Sequence, residues 1–169
     1  VYTSGTMGEP KGAMLTHANF VSVIHASVDV IPTQAGDRSI VFLPMAHSLQ
    51  RFALYRGLAE EVVGYFCTIE DLPETLRIAR PHVLVSVPRM LEKVQAQVRA
   101  GAKAKGPRAV AFLERAIADG EQAAELRRLG QRLPLNLRTR LAFAERLVYR
   151  RIRQGLGGSL HTFISGGAA

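Results

Sequence analysis

The sequence has only one cysteine, Cys67, among its 169 residues. A single cysteine excludes an internal disulfide, argues against a zinc site and is typical of a reducing compartment. No run of about 18 apolar residues is present, so the sequence predicts no membrane-spanning helix. The metal-binding, redox and hydrolase patterns H-E-x-x-H, C-x-x-C and the nucleophile elbow are also missing, so none of these chemistries has support in the sequence.

Acidic residues are the minority among the charged ones. The 14 Asp and Glu residues face 22 Lys and Arg residues, which leaves a net charge of +8. Such a charge suits nucleic acid, an anionic membrane surface or small anions. It is also typical of a solvated basic face on part of a larger protein, and we favour that interpretation. Aromatic side chains do not alternate with the basic ones, so we do not expect nucleic acid as a partner.

In the first half of the chain, short apolar runs alternate with helical patterns. This alternation predicts an α/β fold, with mostly parallel strands joined by crossover helices. The helices are predicted after Thr16, at 48–60 and between Pro73 and Pro81. The strands are predicted at 40–43, 62–66 and 83–87, and a last one at 161–165.

The chain changes character after Pro88. Residues 89–153 are rich in Ala, Leu, Arg, Glu and Gln, which favours helices. The stretch at 101–107 contains two glycines and a proline, and we expect it to be an exposed loop. Two long amphipathic helices are predicted beyond it, at 108–129 and 137–153, and Gly130 and Pro134 separate them. We interpret 89–154 as a helical insertion in the α/β fold.

Residues 2–12 combine three glycines, several hydroxyl side chains and one lysine. The glycines allow the backbone N–H groups to approach an anion, and Lys11 adds a positive charge, so the stretch predicts a polyphosphate site. It is not the P-loop of NTPases, because Pro10 precedes Lys11 and Gly12 follows it. It is not the dinucleotide fingerprint either, because Met7 occupies the place of the second glycine.

The same stretch, Thr-Ser-Gly-Thr-Met-Gly-Glu-Pro-Lys-Gly at 3–12, resembles the signature loop of the AMP-forming adenylate synthetases. The resemblance continues through Ala-Met-Leu-Thr-His at 13–17. That family usually has threonine where this chain has Met7, so one hydroxyl donor is lost. The resemblance implies that ATP phosphates are bound by Thr3, Ser4, Gly5, Thr6, Met7, Gly8 and Lys11, with Thr6 a candidate contact to Mg²⁺.

A second resemblance lies at 42–48, Phe-Leu-Pro-Met-Ala-His-Ser. A histidine beyond the carboxyl end of a strand lies where open α/β sheets bind ligands. The segment resembles the family's strand-Pro-x-x-His segment, in which the histidine lies beside the acyl-adenylate. This implies a catalytic role for His47, while a helix-capping or packed histidine remains the alternative. Gln50 follows where long-chain relatives often have glutamate.

Two further segments match the family in chain order. Residues 80–93 resemble its Val-Pro-Arg-x-x-Glu-Lys run, to which we assign packing rather than catalysis. Residues 164–169, Ile-Ser-Gly-Gly-Ala-Ala, resemble the loop that holds the adenine and ribose of ATP. This implies AMP contacts from Ser165, Gly166, Gly167 and Ala168; Ala169 stands where proline is frequent.

The resemblance covers the chain from end to end and is strongest to bacterial long-chain fatty acyl-CoA synthetases. It implies an α/β fold that is part of the large N-terminal domain of an adenylate-forming enzyme. The implied reaction converts a fatty acid and ATP to acyl-adenylate and pyrophosphate, and then CoA displaces AMP. His47 and Lys11 are the implied catalytic residues, and Mg²⁺, ATP and CoA the implied cofactor and co-substrates.

The chain begins with Val1 and ends at Ala169 inside a glycine-alanine loop, so we expect a part of a longer polypeptide. The family's main Mg²⁺ ligand and its C-terminal domain would lie outside residues 1–169, and we expect these residues alone to be inactive. A cytoplasmic protein with peripheral membrane contact is the expected setting. The sequence predicts neither the oligomeric state nor the pathway.

Two alternatives stay open at this point. The acid could be an aryl acid, an amino acid or a fatty acid passed to a carrier protein, because residues lining the acyl site lie partly outside this chain. From a different class, the basic helices between 108 and 153 could form a module that binds nucleic acid or a membrane surface.

Overall fold

The computed structural model describes the backbone of Tyr2 and Thr3 and residues 11–166 of the chain. It divides into two compact units. The second unit is Arg89–Gly155, and the first contains the chain before it together with the segment from Leu156 onward. The second unit spans nearly the same residues as the predicted insertion, 89–154, whose status as an insertion stays a prediction.

The first unit contains a four-stranded sheet in which all strand pairs are parallel. Its order is β4-β3-β5-β6, so the third strand in sequence, β5, lies at the centre beside β3. The predicted parallel α/β arrangement is therefore confirmed. The strands are β3 (Arg38–Val41), β4 (Val63–Phe66), β5 (Val83–Ser86) and β6 (Thr162–Ser165), preceded by a separate antiparallel pair, β1 (Tyr2–Thr3) and β2 (Lys11–Gly12).

Three helices of the first unit follow the predicted bounds closely. They are α1 (His17–Ser27), α2 (Ser48–Ala59) and α3 (Leu72–Ala79). Thr16 begins α1 with a capping box, in which its hydroxyl accepts from the backbone N–H of Asn19 and the Asn19 side chain accepts from the backbone N–H of Thr16. Helix α3 ends where Arg80 takes a left-handed conformation before Pro81.

The core of the first unit lies between the central strands and α3. All four residues of β5 are buried, as expected for a central parallel strand, and Leu72, Leu76 and Ala79 of α3 are buried as well. The chain entering β6 passes close to α3. A Cβ placed on Gly157 would lie 2.6 Å from the carbonyl oxygen of Leu76, so only glycine fits there.

At the amino ends of the strands, one carboxylate links three chain segments. Asp37 precedes β3, and its Oδ1 lies 3.1 Å from Nδ1 of His82, which precedes β5. Its Oδ2 lies 3.3 Å from Nε2 of His161, which precedes β6. These two histidines therefore hold the end of the sheet opposite to the carboxyl ends, where ligands are expected.

The second unit consists of helices. They are α4 (Pro88–Ala104), α5 (Pro107–Arg128), α6 (Leu135–Ala144) and α7 (Arg150–Gly155), with a π-helical turn at Glu145–Tyr149 between the last two. The predicted helix at 137–153 is thus present but contains one wide turn. The expected exposed loop at 101–107 was wrong. Helix α4 continues through Gly101, and only Lys105 and Gly106 separate it from α5.

The reason for that error is local. Gly101 costs a helix about 1 kcal/mol relative to alanine, but good helix formers flank it on both sides, and their sum outweighs one glycine. A glycine ends a helix where the backbone takes a positive φ, because an α-helix requires a negative φ. Gly106 has a φ of 98° and separates α4 from α5.

A buried carboxylate joins α5 to α6. Asp119 pairs with Arg140 at 2.9 Å and with Arg115 at 3.5 Å, and it lies beside buried Ala116 and Ala123. Tyr149, from the π-helical turn, donates a hydrogen bond of 2.5 Å to the carbonyl oxygen of Ala116. Burial, and then the negative charge of Asp119, raise the pKa of Tyr149.

Candidate active site

The carboxyl ends of β3, β5 and β6 lie at one edge of the sheet, because these strands are parallel neighbours. The chain leaves β3 toward His47 and leaves β6 toward Gly166. The backbone N–H of Gly166 donates to the carbonyl oxygen of Ser86, the last residue of β5, at 3.3 Å. Two segments singled out by sequence are thus brought to the same edge.

His47 is the N-cap residue of α2. Its Nδ1 accepts a hydrogen bond of 3.3 Å from the backbone N–H of Leu49, and its own N–H donates to the carbonyl oxygen of Pro44 at 2.9 Å. The capping role that the sequence left as an alternative is therefore present. It does not remove the other role, because accepting at Nδ1 places the proton of a neutral imidazole on Nε2.

That geometry makes Nε2 of His47 a hydrogen-bond donor. Within residues 11–166, Nε2 has no hydrogen-bond partner, and the side chain is half-buried. A fixed donor at the start of the helix that follows a central strand suits an anionic oxygen of a ligand. The catalytic role of His47 itself stays a prediction.

The segment after His47 also contacts the loop after β6. A Cβ placed on Gly166 would lie 3.7 Å from both methyl carbons of Leu49. The backbone of Gly166 is therefore covered on one side by the first turn of α2. Ser165, the last residue of β6, is exposed beside it.

An apolar cavity of about 350 Å³ lies between α1 and α2. It begins next to His47, because Ser48 and Leu49 are part of its wall. Asn19 and Ser48 are the polar residues of a lining that is otherwise apolar. The full lining consists of Leu15, Asn19, Phe20, Val23, Ser48, Leu49 and Phe52.

Sequence reasoning missed this cavity. The signal was the apolar stripe of α1, including Phe20, from which only a helix after Thr16 was predicted. None of the residues of α1 is buried, and Phe20 instead packs edge-on against Tyr55 of α2 with ring centroids 5.0 Å apart. An amphipathic pattern indicates which face is apolar but not whether protein or ligand covers it.

The predicted phosphate loop lies mostly outside the described residues. Its two ends are joined in an antiparallel pair, in which Thr3 is opposite Lys11 and Tyr2 is opposite Gly12. Lys11 is exposed at the end of that pair. The remaining predicted contacts, Ser4, Gly5, Thr6, Met7 and Gly8, lie outside the described residues, as do Gly167 and Ala168 of the predicted adenine loop.

Two buried polar side chains were not recognised as site candidates. Gln50, in the first turn of α2, is 1% exposed, and Ser86 at the end of β5 is fully buried. Among residues 11–166, neither the Gln50 Oε1 nor the Ser86 Oγ has a hydrogen-bond partner. Such atoms are rare in native proteins and indicate a missing partner, such as water or another group. Gln50 was noted in the sequence only as a replacement for glutamate.

The implied Mg²⁺ has no ligand cluster in the described part of the chain. No group of three or more His, Cys, Asp or Glu residues there could hold a metal ion. The predicted contact to Mg²⁺, Thr6, lies outside the described residues. No described helix is long and apolar enough to cross a membrane.

The chain is similar to known proteins over nearly its whole length. The chain is 39% identical over 99% of its length to the long-chain-fatty-acid–CoA ligase FadD15 of Mycobacterium tuberculosis and covers 28% of that protein. It is 34% identical over 99% of its length to long-chain-fatty-acid–CoA ligase 5 of Rattus norvegicus and covers 24% of it. The chain thus spans about a quarter of the length of these curated relatives.

A solved structure supports the fold. The adenylation domain of the carboxylate reductase from Mycobacterium chelonae aligns with 99% of this chain, at a TM-score of 0.65 and 24% identity, and the chain covers 22% of that structure. Residues 1–169 match the family described as AMP-binding enzyme over their whole length. The chain belongs to the AMP-binding enzyme family.

Proposed function

We propose that the intact protein activates a long-chain fatty acid with ATP and transfers the acyl group to CoA. The proposal is supported by the 39% identity to a long-chain-fatty-acid–CoA ligase across 99% of this chain. The observation that carries it is the position of the apolar cavity, whose wall includes Ser48 and Leu49, the two residues that follow His47 in the chain. An apolar wall next to a donor for an anion suits a carboxylate with a hydrocarbon chain.

The first step would join two anions. An oxygen of the carboxylate attacks the α-phosphorus of ATP, the new acyl–phosphate bond forms, and the bond to pyrophosphate breaks. Positive charge and N–H donors must offset the charge on the phosphates, because the reacting groups repel one another. Lys11 supplies such a charge, and Nε2 of His47 supplies a donor for the carboxylate.

The second step would form the thioester. The CoA sulfur attacks the acyl carbonyl, AMP leaves with the bridging oxygen, and the thiol proton is released. The backbone at Gly166 would hold the adenosine side, since a residue without a side chain allows a flat ring to lie directly on the peptide. Mg²⁺, when bound, would neutralise phosphate charge.

The cavity lining bears on the alternative acids. An amino acid substrate needs a partner for its ammonium group, and the seven lining residues include no charged side chain. The lining therefore favours a hydrocarbon chain or an aryl ring. The lining does not discriminate between CoA and a carrier protein as the acyl acceptor.

The test is acid-dependent exchange of pyrophosphate into ATP by the intact protein, first without CoA and then with it. We expect exchange with fatty acids of long chain, less with short ones, and none with leucine or benzoate. Adding CoA should produce acyl-CoA and AMP. Exchange that prefers benzoate or leucine would refute the fatty acid proposal, and exchange without thioester formation would refute CoA as acceptor.

A further inference from the structure

The net positive charge of the chain lies in the helical unit. Arg89–Gly155 contains 16 Lys and Arg against 6 Asp and Glu, a net charge of +10. The rest of the chain contains 6 basic and 8 acidic residues, a net charge of −2. The charge of +8 is therefore a property of one unit rather than of the whole chain, and the proposed adenylation chemistry does not use it.

Within this unit, α6, the π-helical turn and α7 present an exposed stripe that is both basic and apolar. Its apolar members are Leu135, Phe143 and Leu147, which are 74%, 59% and 40% exposed. Its basic members are Arg138, Arg146, Arg150 and Arg151, which are also exposed. We call these seven residues the arginine–leucine stripe.

The π-helical turn keeps this stripe on one side. Every fourth residue of an α-helix advances about 40° around the axis, so a row with that spacing drifts away from its starting face. A π-helical turn contains more residues per turn and reverses part of this drift. Exposed residues accordingly recur at Arg138, Arg146 and Arg150 across the turn Glu145–Tyr149.

The opposite side of the same helices is fixed. Leu137 and Ala144 are buried, and Arg140 pairs with the buried carboxylate of Asp119. The stripe is therefore presented by a packed support. Arg153 lies nearby but is not a member of the stripe, because it pairs with Glu145.

Within residues 11–166, the arginines of the stripe have no acidic side chain beside them. In the part of the chain that the structure describes, none of the four lies within ion-pair distance of an acidic group. Four such cations beside three exposed apolar side chains match the chemistry of a lipid interface, where cations meet anionic headgroups and apolar side chains enter the acyl region. The phosphates of a nucleic acid would pair with the four cations, but its polar backbone would then lie against the three apolar side chains.

We propose that the arginine–leucine stripe is a docking surface for an anionic lipid bilayer. The proposal does not depend on the proposed adenylation chemistry, because binding requires neither ATP nor a fatty acid. Binding should weaken as the salt concentration rises, since part of the attraction is electrostatic. It should also need the apolar members, which a purely electrostatic patch would not.

The experiment is co-sedimentation of the intact protein with vesicles of phosphatidylcholine, with or without phosphatidylserine. The first variant combines R146E, R150E and R151E, and the second combines F143S and L147S. The matched control combines K103E, K105E and R108E, which changes the net charge equally in the exposed region around the break between α4 and α5. Circular dichroism checks the helix content of each.

We expect the intact protein to bind only the phosphatidylserine vesicles. The stripe arginine variant should bind at least about tenfold more weakly, the apolar variant about three- to tenfold more weakly, and the control less than about threefold. No binding by the intact protein would overturn the proposal. Equal weakening in the control would also overturn it, as would an apolar variant that binds normally or tighter binding to duplex DNA than to the vesicles.

Discussion

Gly166 lies against Leu49: a Cβ on Gly166 would be 3.7 Å from both methyl carbons of the leucine. This contact joins two loops that are separated by more than a hundred residues in the chain. One follows β3 and contains His47, and the other follows β6. The proposed site depends on this convergence, because the acid side and the adenosine side of the reaction must meet there.

Gly166→Ala tests what the glycine is for. A distance of 3.7 Å is ordinary van der Waals contact, so alanine should fit and change the free energy of unfolding by less than about 0.5 kcal/mol. Because the added methyl group points at Leu49, adenosine on this backbone would lie on the opposite side, and the KM for ATP should change less than about threefold. Steady-state kinetics and thermal unfolding measure the two effects. Gly155→Ala, in open space, is the control, and a KM for ATP raised about tenfold or more in Gly166→Ala would contradict this arrangement.

Two substitutions separate the capping role of His47, which its Nδ1 fulfils, from the proposed donor role of its Nε2. Asparagine is a good N-cap residue, whereas alanine is not, so His47→Ala should lose about 1 kcal/mol of stability and His47→Asn much less. Both lose the Nε2 donor, so both should slow pyrophosphate exchange by a similar factor. Denaturant unfolding and the exchange assay measure these changes. Full activity in His47→Asn would mean that the histidine serves only as a cap.

The elements of the fold were largely predictable because their signals are local. Thr16 and Pro81 mark helix boundaries through backbone chemistry within a few residues of themselves, and both predictions are confirmed. The strand order was not predictable, because it depends on pairing between distant segments. Strand β4, for example, pairs only with β3 in the described part of the chain, and Phe66 on it is exposed.

Gly157 and Gly158 form a matched pair for a stability test. Both have positive φ, at 94° and 81°, so alanine is strained at either position by about 1 kcal/mol. At Gly157 the added Cβ would also lie 2.6 Å from the Leu76 carbonyl oxygen, whereas at Gly158 the nearest atom is 4.0 Å away. Gly157→Ala should therefore cost about 3 kcal/mol or more and Gly158→Ala about 1 kcal/mol. Equal losses in urea unfolding would contradict the close approach of this segment to α3.

Tyr149 should make stability depend on alkaline pH. Its pKa is raised in the folded state, chiefly by burial, so its contribution is fully present below the unfolded pKa of about 10 and is lost as the pH rises through the folded pKa. Tyr149→Phe should cost about 1 kcal/mol at pH 7 through the lost hydrogen bond to Ala116, and the cost should shrink above about pH 10. Urea unfolding of this variant and of the control Tyr65→Phe, across that pH range, measures the difference. A cost that is independent of pH would contradict the assignment.

The candidate site was predictable in part. His47 and Gly166 were predicted as site residues because their motifs resemble those of a family, and the structure brings their segments to one edge of the sheet. The cavity wall at Phe20 was not found, because an apolar helix face looks the same in sequence whether protein or ligand covers it. Gln50 and Ser86 were not found either, since the absence of a hydrogen-bond partner is a property of the folded state.

The most direct test of the account is pyrophosphate exchange into ATP by the intact protein, with a long-chain fatty acid and without CoA, compared with Lys11→Ala. Lysine at this position lies opposite Thr3 at the base of the predicted phosphate loop. We expect exchange that requires the acid, and a loss of about a hundredfold or more in Lys11→Ala with an unchanged thermal unfolding midpoint. Exchange at the same rate in Lys11→Ala, or no acid-dependent exchange in the unsubstituted protein, would contradict it.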